Sequence, residues 1–354
     1  MQRPLSPNLR PGLTGWKAAD IERRWEAAKA GESGPVAPTP DARLRAAFAE
    51  LGNQLRSVAS HPYVTQPGLG ALQADVLDVL AISRVISAEL ARRGDSATAP
   101  VPLGLVQETI DAVAARIGRM ERLLSQLEGV AGEARELREA AEELLVKRRP
   151  AAEPFRRLAA HVLADVRDLT SAEEVLPAAA FDLDEWLAGA AGLTCPAAIV
   201  PALLTARIGG WMASHYSDWA DRAERLVLAA LLQDVSLLYL RRQVESSAGG
   251  GAELRRLHPR ASACLAAGLG ELSLDLPRLI ALHHERIDGS GFPKGASGNA
   301  LPPAARMLSV ATRLVELHGQ PDETDRPVFL GAATEMQSGC RLWREAKRGR
   351  TPRA

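Results

Sequence analysis

The sequence predicts an all-α protein, and two observations lead to that expectation. Aromatic residues make up only 4% of the 354 residues, so Ala, Leu, Val and Ile must build most of the core. Cores of this composition favour helices over sheets. Apolar residues recur at helical spacing along most of the chain, and no segment shows the alternation that is typical of a strand. A chain of this length is expected to hold about one to three domains.

The composition argues against several classes of partner and site. Lys and Arg total 43, as do Asp and Glu, so the formal net charge is zero. This balance gives no electrostatic reason to expect a nucleic acid or a membrane surface as a partner. Cys195, Cys264 and Cys340 are far apart and form no CxxC pair. We therefore expect no disulfide framework, no cysteine zinc site and a cytoplasmic location. No apolar segment near the first residue indicates a signal peptide.

The two most apolar segments, 196–212 and 226–240, are predicted to be buried helices. Arg207 interrupts the first segment, and Gln233 and Asp234 interrupt the second. Neither segment therefore offers the uninterrupted apolar run that a membrane span requires.

Residues 1–40 are rich in Pro and Gly and are predicted to form a disordered tail. An alternative is one short amphipathic helix that contains Trp16, Ile21 and Trp25. Ile21 and Trp25 would lie one helical turn apart, on the face that docks.

Residues 41–150 are predicted to form a helical bundle or a coiled coil. The expected helices cover residues 41–60, 69–93 and 103–149. In the longest helix, the apolar residues from Leu103 to Leu127 alternate steps of three and four, which is a heptad seam. This seam could join two copies of the chain, or it could pack on the two preceding helices of the same chain. Both interpretations remain open at this stage.

Residues 151–347 are predicted to form a second helical domain, followed by a short basic tail at 348–354. The expected helices cover residues 152–168, 180–191, 196–213, 221–242, 252–268, 274–285, 304–318 and 330–347. A turn-rich stretch, Asp288–Pro303, separates two of these helices.

The run that indicates chemistry is His283-His284-Glu285-Arg286-Ile287-Asp288-Gly289-Ser290-Gly291-Phe292-Pro293. Two adjacent histidines at a helix end can direct both imidazoles toward one site, and imidazole suits iron, manganese or zinc. The glycines permit a tight backbone turn beside a bound group. Asp288 can hydrogen-bond to its own turn and fix the loop.

Asp234 and His258 are further candidates for the same site. Asp234 lies within an apolar run, where a carboxylate is costly unless it is paired or coordinates a cation. Each residue also has an alternative interpretation without chemistry. Asp234 could be a buried helix-to-loop clamp, and His258 could be a hydrogen-bonded or solvated side chain.

The histidine run resembles the HD-GYP signature, HHExxDGxGYP, with Phe292 in place of the tyrosine. Further segments resemble other elements of that family, and the resemblance covers about residues 196–345. These segments are Leu228–Asp234 (AALLHD), His258-Pro259 (HPxxG), Leu301-Pro302 with 305–311 (IP…ARIIAVA) and Asp325-Arg326-Pro327 (DRPY).

The resemblance implies an all-helical HD phosphohydrolase of bacterial signal transduction. The family holds two or three metal ions, commonly iron or manganese, and opens cyclic di-GMP. By this resemblance Asp234 would bridge the metals as the catalytic residue, and His258, His283 and His284 would be further ligands. The residues that would shape the substrate pocket or contact the nucleotide are Arg286, Asp288, Gly289, Gly291, Phe292, Pro293 and Arg326.

Four positions depart from the family pattern. The HD histidine is Gln233, the following lysine falls at Leu237, the first histidine falls near Pro201, and the late aspartate falls at Thr312. We therefore predict a degenerate domain that binds a nucleotide or a protein partner with little or no hydrolysis.

Two alternatives remain for the function. The first is an active or weak cyclic di-GMP phosphodiesterase that uses a reduced site with iron or manganese. The second is an adaptor whose working part is the heptad helix. The expected cofactor is iron or manganese, or none. The expected partners are cyclic di-GMP or a related nucleotide, and a protein partner or second copy at the N-terminal helices.

Overall fold

The computed structural model describes residues 17–29, 41–93, 101–147, 150–169, 175, 183–193, 196–215, 222–244, 250–269 and 272–318. The prediction of an all-α protein is confirmed. Within these ranges there is no strand, only one isolated bridge between Asp288 and Ser297. The chain divides into two compact units, 1–128 and 129–354. The predicted helix at 330–347 and the basic tail lie outside the described residues.

The helices are numbered here in chain order. Those at the start of the chain are α1 (Ala18–Lys29), α2 (Asp41–Ala59), α3 (Gly70–Arg92) and α4 (Leu103–Val146). They are followed by α5 (Glu153–Val166), α6 (Leu183–Ala190), α7 (Pro196–His215), α8 (Ala223–Leu232), α9 (Leu237–Val244), α10 (Gly250–Ala267), α11 (Leu276–Ala281) and α12 (Pro303–His318). The division into two units falls within α4, between Glu128 and Gly129, rather than near residue 150.

The prediction of a disordered tail over residues 1–40 is wrong for Ala18–Lys29, which form α1. Ile21 and Trp25 are almost completely buried in the first unit. The indole Nε1 of Trp25 donates a hydrogen bond to Thr109 Oγ1 at 3.3 Å. Burial of these two large apolar side chains on one face offsets the entropy that ordering the helix costs. Trp16 lies outside the described residues.

The heptad seam of α4 is buried within a single chain. Val106, Ile110, Val113, Ile117, Met120, Leu124 and Leu127 all lie in the core of the first unit. Arg116 of the same helix pairs with Asp75 and Asp78 of α3. These contacts support the intramolecular bundle over the dimeric coiled coil, because the apolar stripe is already covered without a second copy.

Helix α8 is central to the second unit. It packs against α5, α7, α11 and α12, and every described side chain from Leu226 to Leu232 is buried. Gly209 and Gly210 permit the close approach of α7, because a Cβ on Gly210 would lie 3.0 Å from Val227 Cγ2. Within the described ranges, no helix is both long and apolar enough to span a membrane.

The helix predicted over residues 221–242 is broken into α8 and α9. A turn at Gln233–Ser236 separates them, and its four residues are all buried. The Ser236 backbone N–H donates to Ser262 Oγ of α10, and the N–H groups of Gln233 and Val235 donate to the carbonyl oxygen three residues back. A side-chain acceptor of this kind competes with regular helix, and apolar periodicity does not reveal it. The break is important because it carries the buried carboxylate of Asp234.

Arg207 of α7 lies in the core of the second unit with two acidic partners. Its guanidinium donates hydrogen bonds to both carboxylate oxygens of Glu133, at 2.8 and 2.9 Å, and pairs with Asp165 at 2.7 Å. Burial disfavours the charged form of Arg207. The interactions with Glu133 and Asp165 outweigh this effect and raise the pKa of Arg207 above its ordinary value. The arginine within the apolar segment is therefore satisfied by carboxylates.

We expect the Glu133→Leu variant to lose about 3–5 kcal/mol of unfolding free energy, because Arg207 would keep its charge in the core without its main partner. The double variant Glu133→Leu, Arg207→Met should recover most of this loss, since Asp165 is half-exposed and can be solvated. Urea unfolding followed by circular dichroism measures both values. Wild-type stability in the single variant would contradict this account of the core.

Candidate metal centre

Four potential metal ligands from separate parts of the second unit meet at one point. Asp234 comes from the turn after α8, His258 from the middle of α10, and His283 and His284 from the turn after α11. One ligand atom from each side chain lies within 4.8 Å of every other. The structure thus brings together the four residues that the sequence predicted as a metal cluster.

The spacing of the donor atoms fits one metal ion. His258 Nε2 lies 3.2 Å from the Nε2 atoms of both His283 and His284, and 3.2 Å from Asp234 Oδ1. Nitrogen ligands bind zinc at about 2.0–2.1 Å, which places two tetrahedral donors about 3.3–3.4 Å apart. Two imidazole nitrogens at such a distance must share either a proton or a cation. This donor set, one carboxylate and three imidazoles, suits iron, manganese or zinc.

The outer nitrogens show how the rings are oriented. His283 Nδ1 lies 2.7 Å from the carbonyl oxygen of Ile280, so this nitrogen carries the proton and Nε2 keeps its lone pair for the cluster. His258 Nδ1 is buried and has no hydrogen-bond partner among the described residues. Both rings present Nε2 to the same point.

The surroundings of the cluster keep Asp234 ionised and His283 neutral. Burial and the neighbouring His284 lower the pKa of His283 to about 3, so this ring is neutral at neutral pH. Burial alone would raise the pKa of Asp234, but the hydrogen bond with His258 helps to hold it below the ordinary value. An ionised carboxylate and a neutral imidazole are the forms that bind a metal ion.

A neutral hydrogen-bond network occupies the side of the cluster where the family pattern would add ligands. Gln233 Nε2 donates to Thr205 Oγ1 at 3.4 Å and to Asp234 Oδ2 at 3.3 Å. The single hydroxyl proton of Thr312 on α12 is shared between Gln233 Oε1 at 3.2 Å and the Leu308 carbonyl oxygen at 2.9 Å. All three neutral side chains are buried. The second oxygen of Asp234 is therefore held by an amide, with no cationic partner in this network.

A pair of serines ties the backbone of α10 to the turn that carries Asp234. Ser262 Oγ accepts from the Ser236 backbone N–H at 3.1 Å, and the two hydroxyls lie 2.8 Å apart. Ser236 Oγ donates to the carbonyl oxygen of His258 at 3.1 Å. Asp234 and His258 are therefore fixed to one another through buried backbone as well as through their side chains.

Glu285 fixes the loop that follows the histidines through hydrogen bonds to its backbone. This carboxylate is fully buried, and its two oxygens accept the backbone N–H groups of Lys294 and Ala296 at 2.7 and 2.8 Å. Asp288 accepts from both the backbone and the hydroxyl of Ser290, and these hydrogen bonds lower its pKa. Glu285 has a structural role that the sequence analysis did not assign to it.

The loop returns to cover His284. The Phe292 ring stacks on the His284 ring with centroids 4.4 Å apart and planes inclined by 25°. The Phe292 backbone N–H donates to the His284 carbonyl oxygen at 3.2 Å. A Cβ at Gly291 would lie 2.4 Å from backbone atoms of Arg286 and His284. Only glycine permits this approach of the two backbone segments.

The other residues predicted for the site, and those that depart from the family pattern, lie at different places in the fold. Arg286 and Asp288 are exposed, and Gly289, Gly291, Phe292 and Pro293 are half-buried in the loop beside the cluster. Leu237 begins α9, and Pro201 lies in α7, one turn before Thr205. Arg326 lies outside the described residues.

Two residues that contact the cluster or its neutral hydrogen-bond network were absent from the site predicted from the sequence. Thr205 was missed because a threonine in an apolar helix carries no metal-ligand pattern. Glu316 of α12 was missed as well, and its Oε1 lies 3.4 Å from His284 Nδ1. Its spacing of one helical turn after Thr312 is the signal that could have indicated it.

The Gly291→Ala variant should lose at least about 1–3 kcal/mol of unfolding free energy, because its methyl group has no space between two backbone segments. We also expect weaker metal binding, since Phe292 and His284 must move. The matched control is Gly132→Ala in α4, where a Cβ meets nothing within 4 Å. That control should gain up to about 1 kcal/mol from helix propensity. Equal thermal unfolding of the two variants would contradict the packing described here.

Part of this chain is similar to known proteins. A family model described as an HD domain matches residues 204–339. A segment of 109 residues is 32% identical to the cyclic di-GMP phosphodiesterase response regulator RpfG of Xanthomonas campestris pv. campestris (strain 8004). The match covers 29% of this chain and 29% of that relative. No solved structure gives a significant match.

The matched region contains the α8 turn, the three histidines and α12, which are the elements that build the cluster. Residues 204–339 are therefore similar to HD-domain phosphohydrolases, over the part of the chain that builds the cluster.

Proposed function

We propose that this HD domain is a degenerate member of the family that binds cyclic di-GMP or a related nucleotide in bacterial signalling, with little or no hydrolysis. The observation that carries the proposal is the neutral network of Thr205, Gln233 and Thr312 beside Asp234. An amide and two hydroxyls stand where a second cation would require imidazole or carboxylate ligands.

Charge supports the same conclusion. Two divalent cations side by side need several negative ligands, and Asp234 is the only carboxylate among the four clustered donors. Burial of uncompensated charge is expensive in a protein interior. Gln233 and Thr312 contribute no charge, so a second cation near Asp234 would be poorly compensated.

One metal ion does fit the cluster. Asp234, His258, His283 and His284 would hold it, and a metal there would supply Lewis acidity toward a phosphate oxygen. The chain's own residues keep the required forms, because His283 is neutral and its proton lies on the nitrogen facing Ile280. A phosphate group of a nucleotide is therefore a suitable ligand for the loaded site.

The loop provides contacts that suit a nucleotide. Arg286 is exposed next to the cluster and can pair with a phosphate. Phe292 is half-buried and offers an aromatic face near the histidines. The similarity to a cyclic di-GMP phosphodiesterase makes that dinucleotide the first ligand to test. A protein partner is the alternative if no nucleotide binds.

A second candidate function is a weak cyclic di-GMP phosphodiesterase with a single metal ion. The observation that favours it is the compactness of the four donors, which all lie within 4.8 Å of one another. Lewis acidity from one ion is sufficient for hydrolysis in some metal sites. Measured turnover separates the two candidates.

We expect protein loaded with manganese or iron to hold about one metal ion per chain, to bind cyclic di-GMP and to release no detectable linear product. Elemental analysis, calorimetric titration and chromatography of the nucleotide measure these three properties. His283→Ala is the control and should lose the metal, because it removes a central donor. Turnover in the wild type that disappears in His283→Ala would favour the phosphodiesterase. A lack of nucleotide binding at millimolar ligand would direct attention to protein partners.

The double variant Gln233→His, Thr312→Asp should raise the metal content above one ion per chain and increase turnover, because it adds an imidazole and a carboxylate beside Asp234. Without metal, the same variant should be less stable than the wild type by about 1–3 kcal/mol, since an imidazole and a carboxylate would lose hydration on burial where neutral hydrogen-bonded groups now lie. Gln233→Leu, Thr312→Val is the matched control, which removes the network and adds no ligand. Unchanged metal content in the first variant would argue against this explanation of the proposed low activity.

A further inference from the structure

We infer that Glu316 is a positioning residue that selects the tautomer of His284 whose Nε2 faces the Asp234 cluster. This inference rests on the proposed use of the cluster as a metal site. It concerns a residue that neither the histidine run nor the clustered donors include.

Glu316 lies on α12 on the outer side of the His284 ring. Its Oε1 is 3.4 Å from His284 Nδ1, while Nε2 of the same ring is 3.2 Å from His258 Nε2. The ring thus lies between the carboxylate and the other histidines. The guanidinium Nη1 of Arg313 donates a hydrogen bond to Oε2 of Glu316 at 2.9 Å. This hydrogen bond holds the carboxylate of Glu316 toward the His284 ring.

A carboxylate at this position decides where the proton of a neutral imidazole resides. An ionised carboxylate only accepts hydrogen bonds, whereas a neutral imidazole has one N–H and one lone pair. The proton is therefore stabilised on Nδ1, facing Glu316, and the lone pair remains on Nε2, facing the cluster. A carboxylate behind a histidine also makes the ring a stronger ligand.

Phe292 and Glu316 restrict the ring in different ways. Stacking with Phe292 fixes the plane of the His284 ring, but a stacked ring can rotate within its plane or exchange tautomers without losing the contact. The carboxylate distinguishes one nitrogen from the other. Plane and proton position together direct the Nε2 lone pair to the cluster.

His283 offers an internal comparison. Its Nδ1 faces the carbonyl oxygen of Ile280 at 2.7 Å, so its tautomer is set by the backbone of α11. A side-chain substitution cannot remove that acceptor. The corresponding group of His284 is the carboxylate of Glu316, whose Oε1 lies 3.4 Å from Nδ1 as an ion-pair contact. A single substitution can remove this carboxylate.

The test compares Glu316→Leu with the conservative Glu316→Gln, which keeps an acceptor oxygen. Glu142→Leu is the matched control, because Glu142 is exposed on the part of α4 that lies in the second unit. The first measurement is the nitrogen NMR of His284 in metal-free protein, well above the ordinary histidine pKa of about 6.5. The second is affinity for zinc or cobalt, measured by competition with a chelator.

In the wild type and in Glu142→Leu, we expect the His284 proton on Nδ1. In Glu316→Leu we expect a shift of that proton toward Nε2, with metal affinity about 10–100-fold lower. Glu316→Gln should retain the wild-type tautomer and lose less affinity. Circular dichroism should be the same for all variants, since Glu316 is partly exposed.

The inference would be overturned if His284 kept its wild-type tautomer in Glu316→Leu. It would also be overturned if the wild type bound metal and Glu316→Leu bound metal with the same affinity. If the wild type binds no metal, the proposed metal site fails, but the His284 tautomer still decides the role of Glu316. Equal losses in Glu316→Leu and Glu142→Leu would also overturn it, because the effect would not depend on contact with His284.

Discussion

The buried carboxylate of Asp234 is the constraint on which the rest of the site depends. A charge at the end of an apolar helix is tolerated only with polar partners around it. Here one oxygen faces two imidazoles and the other faces the amide of Gln233. The break between α8 and α9, the side-chain direction of His258 and the turn after α11 all serve to supply these partners. The residues around Asp234 therefore stabilise a buried charge, and some of them are also candidate metal ligands.

The two sides of Asp234 differ in what they can bind. On one side, three imidazole nitrogens form a compact donor set with the carboxylate. On the other side, Thr205, Gln233 and Thr312 are linked by hydrogen bonds between neutral groups. A satisfied neutral network resists the entry of a cation, because the cation would displace hydrogen bonds without gaining a negative ligand. This difference between the two sides of Asp234 supports the proposal of ligand binding with little or no hydrolysis.

The sequence was sufficient for the fold class and for the proximity of Asp234, His258, His283 and His284, because helical periodicity and a long signature constrain both. It was insufficient where side-chain hydrogen bonds decide local structure. The turn at Gln233–Ser236 interrupts a pattern that is apolar throughout, and α1 becomes ordered only through the tertiary burial of Ile21 and Trp25. Thr205 belongs to the site through a contact between distant helices that spacing along the chain does not encode, and Glu316 is indicated only by its position one helical turn after Thr312.

The serine pair beneath the cluster has a consequence for how this sequence can vary. Ser236 and Ser262 share one proton-donor chain that ends on the backbone of His258. Loss of the Ser262 hydroxyl leaves the buried Ser236 N–H without its acceptor, and loss of the Ser236 hydroxyl leaves the His258 carbonyl oxygen without its donor. Among related sequences, both positions are therefore expected to keep a small hydroxyl residue, because each hydroxyl satisfies a backbone group that no substitution removes.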